Sequence, residues 1–340
     1  MKTQSFLHII FACLIFKSSL AQLPKEVAMK RKIDSIKLAA LGDYATKYPM
    51  LRQGAFAVDM IGSRRVKGEL NGSNLFEGKT NITRIRSNFN IPLAQFGKNV
   101  VAGTISYQQI NFTTRDVKSY QPDFAAVDQS LTKQTVGFTV SFTRLDSLFN
   151  RPISYSGSLS GLTNEFSSIK RLNYIGNVVY SVSRTPTSSW AVGLAVVIDP
   201  SSVAPVVPFV SYWHHYKNSN LDLFIDMPSR VALRKQLSRK SWASMGSELG
   251  GNLYFFDLEQ ASLPQNAIYS TIDLRTGLTL EYMLTRKLVI GISGGMYTLA
   301  RSTMFEHDAK TSDYFFRTNG GTVPYLTVSM SLLPFLKSWK

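Results

Sequence analysis

Between Ile268 and Leu299 the chain alternates so regularly that few folds can accommodate it. Ile268, Ile272, Leu274, Leu278, Leu280, Tyr282 and Leu284 share one parity, and Thr271, Asp273, Arg275, Gly277, Thr279 and Glu281 share the other. A period of two is that of a β-strand. The run is far longer than the roughly 5–6 residues of a typical soluble strand. One face is oily and the other carries Asp, Arg and Glu, as when lipid lies outside a barrel and a polar lumen inside. After Arg286-Lys287 the pattern resumes, with Leu288, Ile290, Ile292 and Met296 against Ser293, Gly295 and Tyr297. The spacing predicts a second long strand after a minimal connection.

The start of the chain bears on the same environment. Lys2 precedes an apolar run from Phe6 to Phe16, and Ser19-Leu20-Ala21 has the small-x-small form of a cleavage site. This predicts a signal peptide over 1–21 and a mature chain from Gln22. The run is too short to span about 30 Å of hydrocarbon as an anchor. Ile10-Phe11-Ala12-Cys13 imitates a lipoprotein box, but the apolar run continues through Leu14, Ile15 and Phe16. Cys13, the single cysteine, leaves with the signal, so no disulfide or thiol chemistry is expected.

The net charge of +16 becomes +14 once Lys2 and Lys17 are removed. Export argues against nucleic acid as the partner of that charge, and Lys and Arg are scattered in ones and twos. No later stretch approaches 18 uninterrupted apolar residues, which excludes helical spans but not a barrel. Residues 22–53, with Lys30-Arg31-Lys32 and Ile33, Ile36, Ala40 and Leu41, are read as a periplasmic lead-in or plug. A short helix, an unstructured segment and a further strand stay open for it.

From Gly54 to the end, alternating stretches and turn signals predict an all-β chain, a transmembrane antiparallel β-barrel occupying 54–340. About 14 strands are expected, or 12 if the short pieces either side of Pro228 do not span. The first is placed at 55–66 and the second at 80–91, ending at Pro92. The third is placed at 100–112 and the last at 321–333. The cleanest alternations are Val136, Phe138, Val140 and Phe142 in 133–144, Trp190 to Ile198, and Trp242 to Asp257. Ile153 to Ser160 is the weakest, being mostly Ser and Gly. Longer outward loops are expected at 67–79, 113–132, 161–169 and 301–320. Shorter periplasmic turns are expected near 92–98, 185–188, 217–219, 239–241 and 286–287, the outer-membrane arrangement.

Three stretches carry a family resemblance: Val206, Pro208, Phe209, Ser211 and Tyr212; Asp222 followed by Met227-Pro228-Ser229-Arg230-Val231-Ala232-Leu233-Arg234; and Gly246-Ser247-Glu248-Leu249-Gly250-Gly251. With these the chain resembles the DUF6268 family of uncharacterised Bacteroidota outer-membrane barrel proteins, over most of its mature length. The resemblance implies a cell outer-membrane barrel and brings no active site, substrate or partner with it. The ending departs from the common terminal aromatic of outer-membrane barrels, since Lys340 follows Trp339.

No catalytic or metal constellation emerges. His214-His215 are strand neighbours, so their side chains point to opposite faces and cannot chelate one ion together. With Trp213 and Tyr216 they are candidates for an aromatic belt or the lumen. Glu248, Asp273, Arg275 and Glu281 are candidate lumen-lining residues, able to form a selective passage or to satisfy one another across strands. Two functions follow: a porin-like or substrate-selective channel for small solutes, or a non-enzymatic structural, adhesion or assembly barrel whose outer loops bind a partner. An outer-membrane lipid hydrolase is a more distant alternative, since no Ser is paired with His214, His215 or His307 in a recognisable way. No cofactor is implied. The expected partners are outer-membrane lipid or lipopolysaccharide and the barrel assembly machinery.

Overall fold

The computed structural model describes residues 25–122, 126–165, 167–199, 202, 204–259 and 262–336. The expected signal peptide, with Cys13, and the terminal Trp339-Lys340 lie outside the described residues. The chain opens with helix α1 (Lys25–Lys47) and a 3-10 turn at Pro49–Leu51. Strands follow: β1 (Gly54–Leu70), β2 (Ser73–Phe96), β3 (Asn99–Ser119), β4 (Gln129–Leu148), β5 (Arg151–Thr163), β6 (Arg171–Arg184), β7 (Ser188–Ile198) and β8 (Val206–Tyr216). The rest are β9 (Leu221–Met227), β10 (Arg230–Gln236), β11 (Ser241–Asp257), β12 (Asn266–Met283), β13 (Leu288–Glu306), β14 (Tyr314–Gly320) and β15 (Val323–Leu332).

Each strand from β1 to β13 pairs antiparallel with the next, and β14 and β15 join β13 back to β1. The sheet is therefore closed. β14 and β15 keep one register on β1, with Val66 facing Gly320 and Ile61 facing Tyr325, so they share a single place in the ring. β9 and β10 are short but both take places in the ladder.

The side chains separate as the alternation requires. Phe138, Val140, Phe142, Trp190, Leu194, Leu278, Leu280, Val328 and Met330 are exposed on the outer face. Their neighbours along each strand, of opposite parity, point inward. An apolar surface this extensive, on the outside of a closed sheet with charges inside, inverts the arrangement of a soluble protein.

Helix α1 grows from good helix formers in a Lys- and Ala-rich segment. It ends before Pro49, whose ring disfavours helical geometry in Tyr48. Its last turn reaches the barrel mouth, where Ala45 is fully buried with Trp242, Val289 and Leu333. The opposite mouth is the far end. The helix end carries tight turns, such as those between β2 and β3 and between β4 and β5; most far-end connections, such as those after β3, β5, β7, β11 and β13, are longer.

Several expected boundaries are corrected. Residues 67–79 are not a loop: β1 and β2 continue through them and meet at Asn71-Gly72. The φ values of 48° and 82° there are the positive pair that a tight hairpin turn needs. Much of 113–132 and 301–320 is likewise strand, because β3 runs to Ser119, β13 to Glu306, and β14 fills Tyr314–Gly320. Polar residues on both faces hid these extensions, yet they ladder normally. β2 does not stop at Pro92, which lies opposite Ala102 beside a register shift that accommodates its missing donor.

At the far end the ring changes shape. β11 outlasts its partner β10, and its free edge turns inward onto β4, where the Thr135 hydroxyl donates to the Leu253 carbonyl at 2.7 Å. Phe255, Ile268 and Phe305 lie on the oily parity but are buried, packed with Leu253 and with Leu162 of β5. The Arg171 guanidinium donates to the His307 carbonyl at 2.6 Å, and the His307 ring meets the Lys170 carbonyl. The far half is thus a narrower tube of β1–β4 and β11–β14, with the start of β6 and the end of β5 folded against its outside.

Candidate functional site

The lumen is divided into three levels. Nearest the helix end is a polar chamber of about 400 Å³, lined by Arg86, Asp226, Arg230, Arg234, Glu248 and Glu281 among small Ser, Thr and Gly residues. At its mouth the end of α1 and the segment after it form part of the lining. Arg52 is buried and binds Glu281 at 2.6 Å and the Ser331 hydroxyl at 3.2 Å, while its Nε donates to the Ala45 carbonyl at 3.3 Å. Tyr48 packs edge-on to Phe224, with ring centroids 5.4 Å apart, and Lys47 Nζ lies 4.8 Å from the Trp213 ring.

The middle level is a septum of ion pairs. Asp59 is fully buried and accepts from Arg84 Nε at 2.8 Å, from Arg86 Nε at 2.9 Å and Nη2 at 3.0 Å, and from the Thr327 hydroxyl at 2.8 Å. Asp273, equally buried, accepts from Arg84 Nη1 at 3.2 Å and Asn252 Nδ2 at 3.0 Å. Arg275 lies 3.8 Å from each of these carboxylates and donates to Glu248 at 3.0 Å. Three guanidiniums thus meet three carboxylates. Charges removed from water are tolerated only when paired and hydrogen-bonded in this way.

Short-range geometry makes room for the septum. A Cβ at Gly250 would lie 3.2 Å from the Asp273 carboxylate, so the strand opposite Asp273 leaves the space that the acid and its partners use. Beyond the charges, Ile61, Ile82, Ile110, Tyr254, Tyr269 and Tyr297 fill the section of the tube.

The third level is an apolar cup of about 640 Å³ in the far half. Leu70, Leu75, Phe112, Leu131, Phe256 and Met304 are among its walls. Two cations reach it. Lys133 Nζ lies 4.7 Å from the Phe256 ring, and Arg64 lies over Tyr297 at 5.5 Å. Arg64 occupies space that only Gly320 leaves, since a Cβ there would lie 2.9 Å from its Cδ and Nε.

The four acidic and basic residues singled out from the sequence all lie on the inner face. Glu248, Asp273 and Arg275 meet in the septum, whereas Glu281 is lower, at the helix-end mouth with Arg52. The Trp213 to Tyr216 group divides by parity. Trp213 Nε1 and His215 Nδ1 both lie 3.0 Å from the same Asp222 oxygen inside. His214 lies on the other parity with Tyr212 and Tyr216, whose rings are 6.2 Å and 4.5 Å from its own.

Sequence reasoning missed Asp59, Arg84, Arg86, Asn252 and Arg64 as members of the site. A signal was present for two of them. Arg84 and Arg86 share a parity with Ile82 in the middle of a strand, and charges at i and i+2 on one face need a common counter-charge. Nothing local named Asp59 and Asp273 as that counter-charge.

The family model described as "Domain of unknown function (DUF6268)" matches residues 50–332, from within the 3-10 turn to the end of β15. No curated protein sequence matches the chain. Among solved structures, an outer membrane channel from Pseudomonas putida F1 aligns with 10% identity and a TM-score of 0.31, over 82% of this chain and 95% of that one. The transport unit of the autotransporter AIDA-I from Escherichia coli aligns with 9% identity and a TM-score of 0.29, over 83% of this chain and 90% of that one. At these scores neither supplies a residue role or an activity.

Proposed function

The chain belongs to the DUF6268 family, and from that premise we propose that it is an outer-membrane barrel of fourteen strand places that provides a selective, normally closed passage for small solutes. The exposed apolar belt on a closed sheet supports the membrane location. The longer far-end connections are taken as extracellular, which puts α1 and the short turns in the periplasm.

The observation that carries the selective reading is the division of the lumen. Two chambers of opposite character, one polar and one apolar, face each other across a septum held by side chains rather than by backbone. Side-chain ion pairs can exchange partners without opening the wall. An always-open porin needs no such layer.

Planar-bilayer recording tests this. The parent protein is expected to insert silently, and the charge-balanced double variant Arg84→Ser/Asp273→Ser is expected to give discrete current steps. Steady large conductance from the parent would overturn the closed state. Silence from a folded, inserted double variant would favour a sealed barrel whose outer surface binds a partner.

A further inference from the structure

The far-end cup has a composition that a passage alone does not require. Its walls are Leu, Phe and Met, yet a guanidinium is buried in its lining. Arg64 is only 6% exposed, and its Nε and Nη1 have no hydrogen-bond partner. Threonine hydroxyls of the same lining bond to other hydroxyls: Thr80 with Thr114 at 2.9 Å, and Thr318 with Ser302 at 2.7 Å. Leaving donors of a buried cation unmet is costly, and such groups are ordinarily satisfied by a partner. The acid that lines the cup, Asp257, is at its rim, largely exposed, 4.0 Å from Lys170.

The rest of the cavity defines what that partner is attached to. A volume of about 640 Å³ lies within the range of ligand pockets. A largely apolar wall with two cations, of which Arg64 is buried with unmet donors, selects a molecule with an apolar body and one anionic end. A guanidinium presents its N–H groups as a planar fork that matches a carboxylate.

We propose that the cup is a binding site for an amphipathic carboxylate, its body held among Leu70, Phe112, Leu131, Phe256 and Met304 and its head group at Arg64. Lys133, on the Phe256 ring, adds a second positive charge along the same lining and favours the anion over the neutral acid. The site opens at the end opposite α1, so it is reached without crossing the septum.

The test uses the full mature protein in lipid nanodiscs with dodecanoate labelled with ¹³C at the carboxyl. A bound carboxyl resonance is expected that stays ionised to lower pH than the pool dissolved in the lipid. Arg64→Gln is expected to weaken binding by about tenfold or more, the scale of a lost charged hydrogen bond, and Arg64→Lys to keep part of it. Leu131→Trp fills the cup while leaving Arg64 in place and is expected to abolish the bound resonance. Folding of each variant is checked by far-UV circular dichroism and heat-modified gel mobility. Equal affinity for dodecanol, or unchanged dodecanoate binding in folded Arg64→Gln, would overturn the proposal. Because no flux is measured, failure here leaves the passage reading standing, and silent bilayers leave this one standing.

Discussion

Arg84 and Asp273 are 189 residues apart in the chain, yet Nη1 of the one donates to the carboxylate of the other at 3.2 Å inside the barrel. The contact crosses the lumen from β2 to β12. It ties together walls that the hydrogen-bond ladder connects only through other strands, the nine from β3 to β11 on one side or β1, β14 and β15, and β13 on the other.

Breaking that contact one partner at a time should be severe. Arg84→Met leaves Asp59 and Asp273 buried with too few cations, and losing one member of a buried pair costs about 3–5 kcal/mol. The double variant Arg84→Met/Asp273→Asn should cost less than the sum of the two single changes. Urea unfolding from lipid vesicles, run as a double-mutant cycle, measures the difference.

Leu278 is 59% exposed on the outer face. On a soluble surface, replacing it by Arg would be nearly neutral. In the middle of a lipid-facing belt, Leu278→Arg should destabilise folding into bilayers by about 2–4 kcal/mol. Arg at the inward-facing neighbour Thr279 should cost much less, and equal effects at the two positions would contradict the lipid-facing reading.

The segment after α1 is held at the barrel mouth by Arg52 and Glu281, both largely buried. Glu281→Gln should loosen the α1 end without touching the septum. A nitroxide at residue 36, on an exposed position of the helix, should then show sharper spectral lines than in the parent barrel.

Lys67 and Glu77 pair at 3.0 Å near the tip of the β1–β2 hairpin, beyond the apolar belt. The hydrogen bond from Lys67 holds the Glu77 carboxyl below its usual range. A carboxyl lowered by folding contributes above its unfolded pKa, about 4.3, and the contribution is lost as pH falls through the lower folded value. The Lys67 amine is shifted up by the same bond, so its contribution is full at neutral pH and is lost only well into the alkaline range. Hydrogen exchange at the Asn71 amide, which bonds to the Phe315 carbonyl at 2.7 Å, should speed up below about pH 4 relative to its intrinsic rate, and Glu77→Gln should remove that step.

The all-β character and, for most strands, the inner or outer facing were legible from alternation, because lipid and lumen impose opposite chemistry on neighbouring residues. The hairpin extension to Asn71-Gly72 was not, since above the belt both faces are wet and the period-two signal fades. Ile268 shows a different limit. Parity assigns it to the oily outside, as it does Leu278, yet Leu162 of β5 covers the cluster it belongs to. A strand's own residues cannot say whether lipid or another strand lies against them. The septum was half visible: Asp273, Arg275 and Glu248 announce themselves, but their cross-lumen partners on β1 and β2 are set by curvature and closure.

The seam of the ring joins the first strand to the last. Gly54 faces Leu332, and the Gln53 side-chain oxygen accepts the Phe335 and Leu336 amides at 2.7 and 2.9 Å. Such a seam cannot form until nearly the entire chain has been delivered. Until then both β1 and the leading edge of the sheet carry unmet backbone groups. Pairing so distant in sequence is slow to find and exposes adhesive edges while it waits. The step that limits the rate of maturation should therefore be zipping of the seam, and a chain cut after β13 should remain an open, aggregation-prone sheet rather than a smaller barrel.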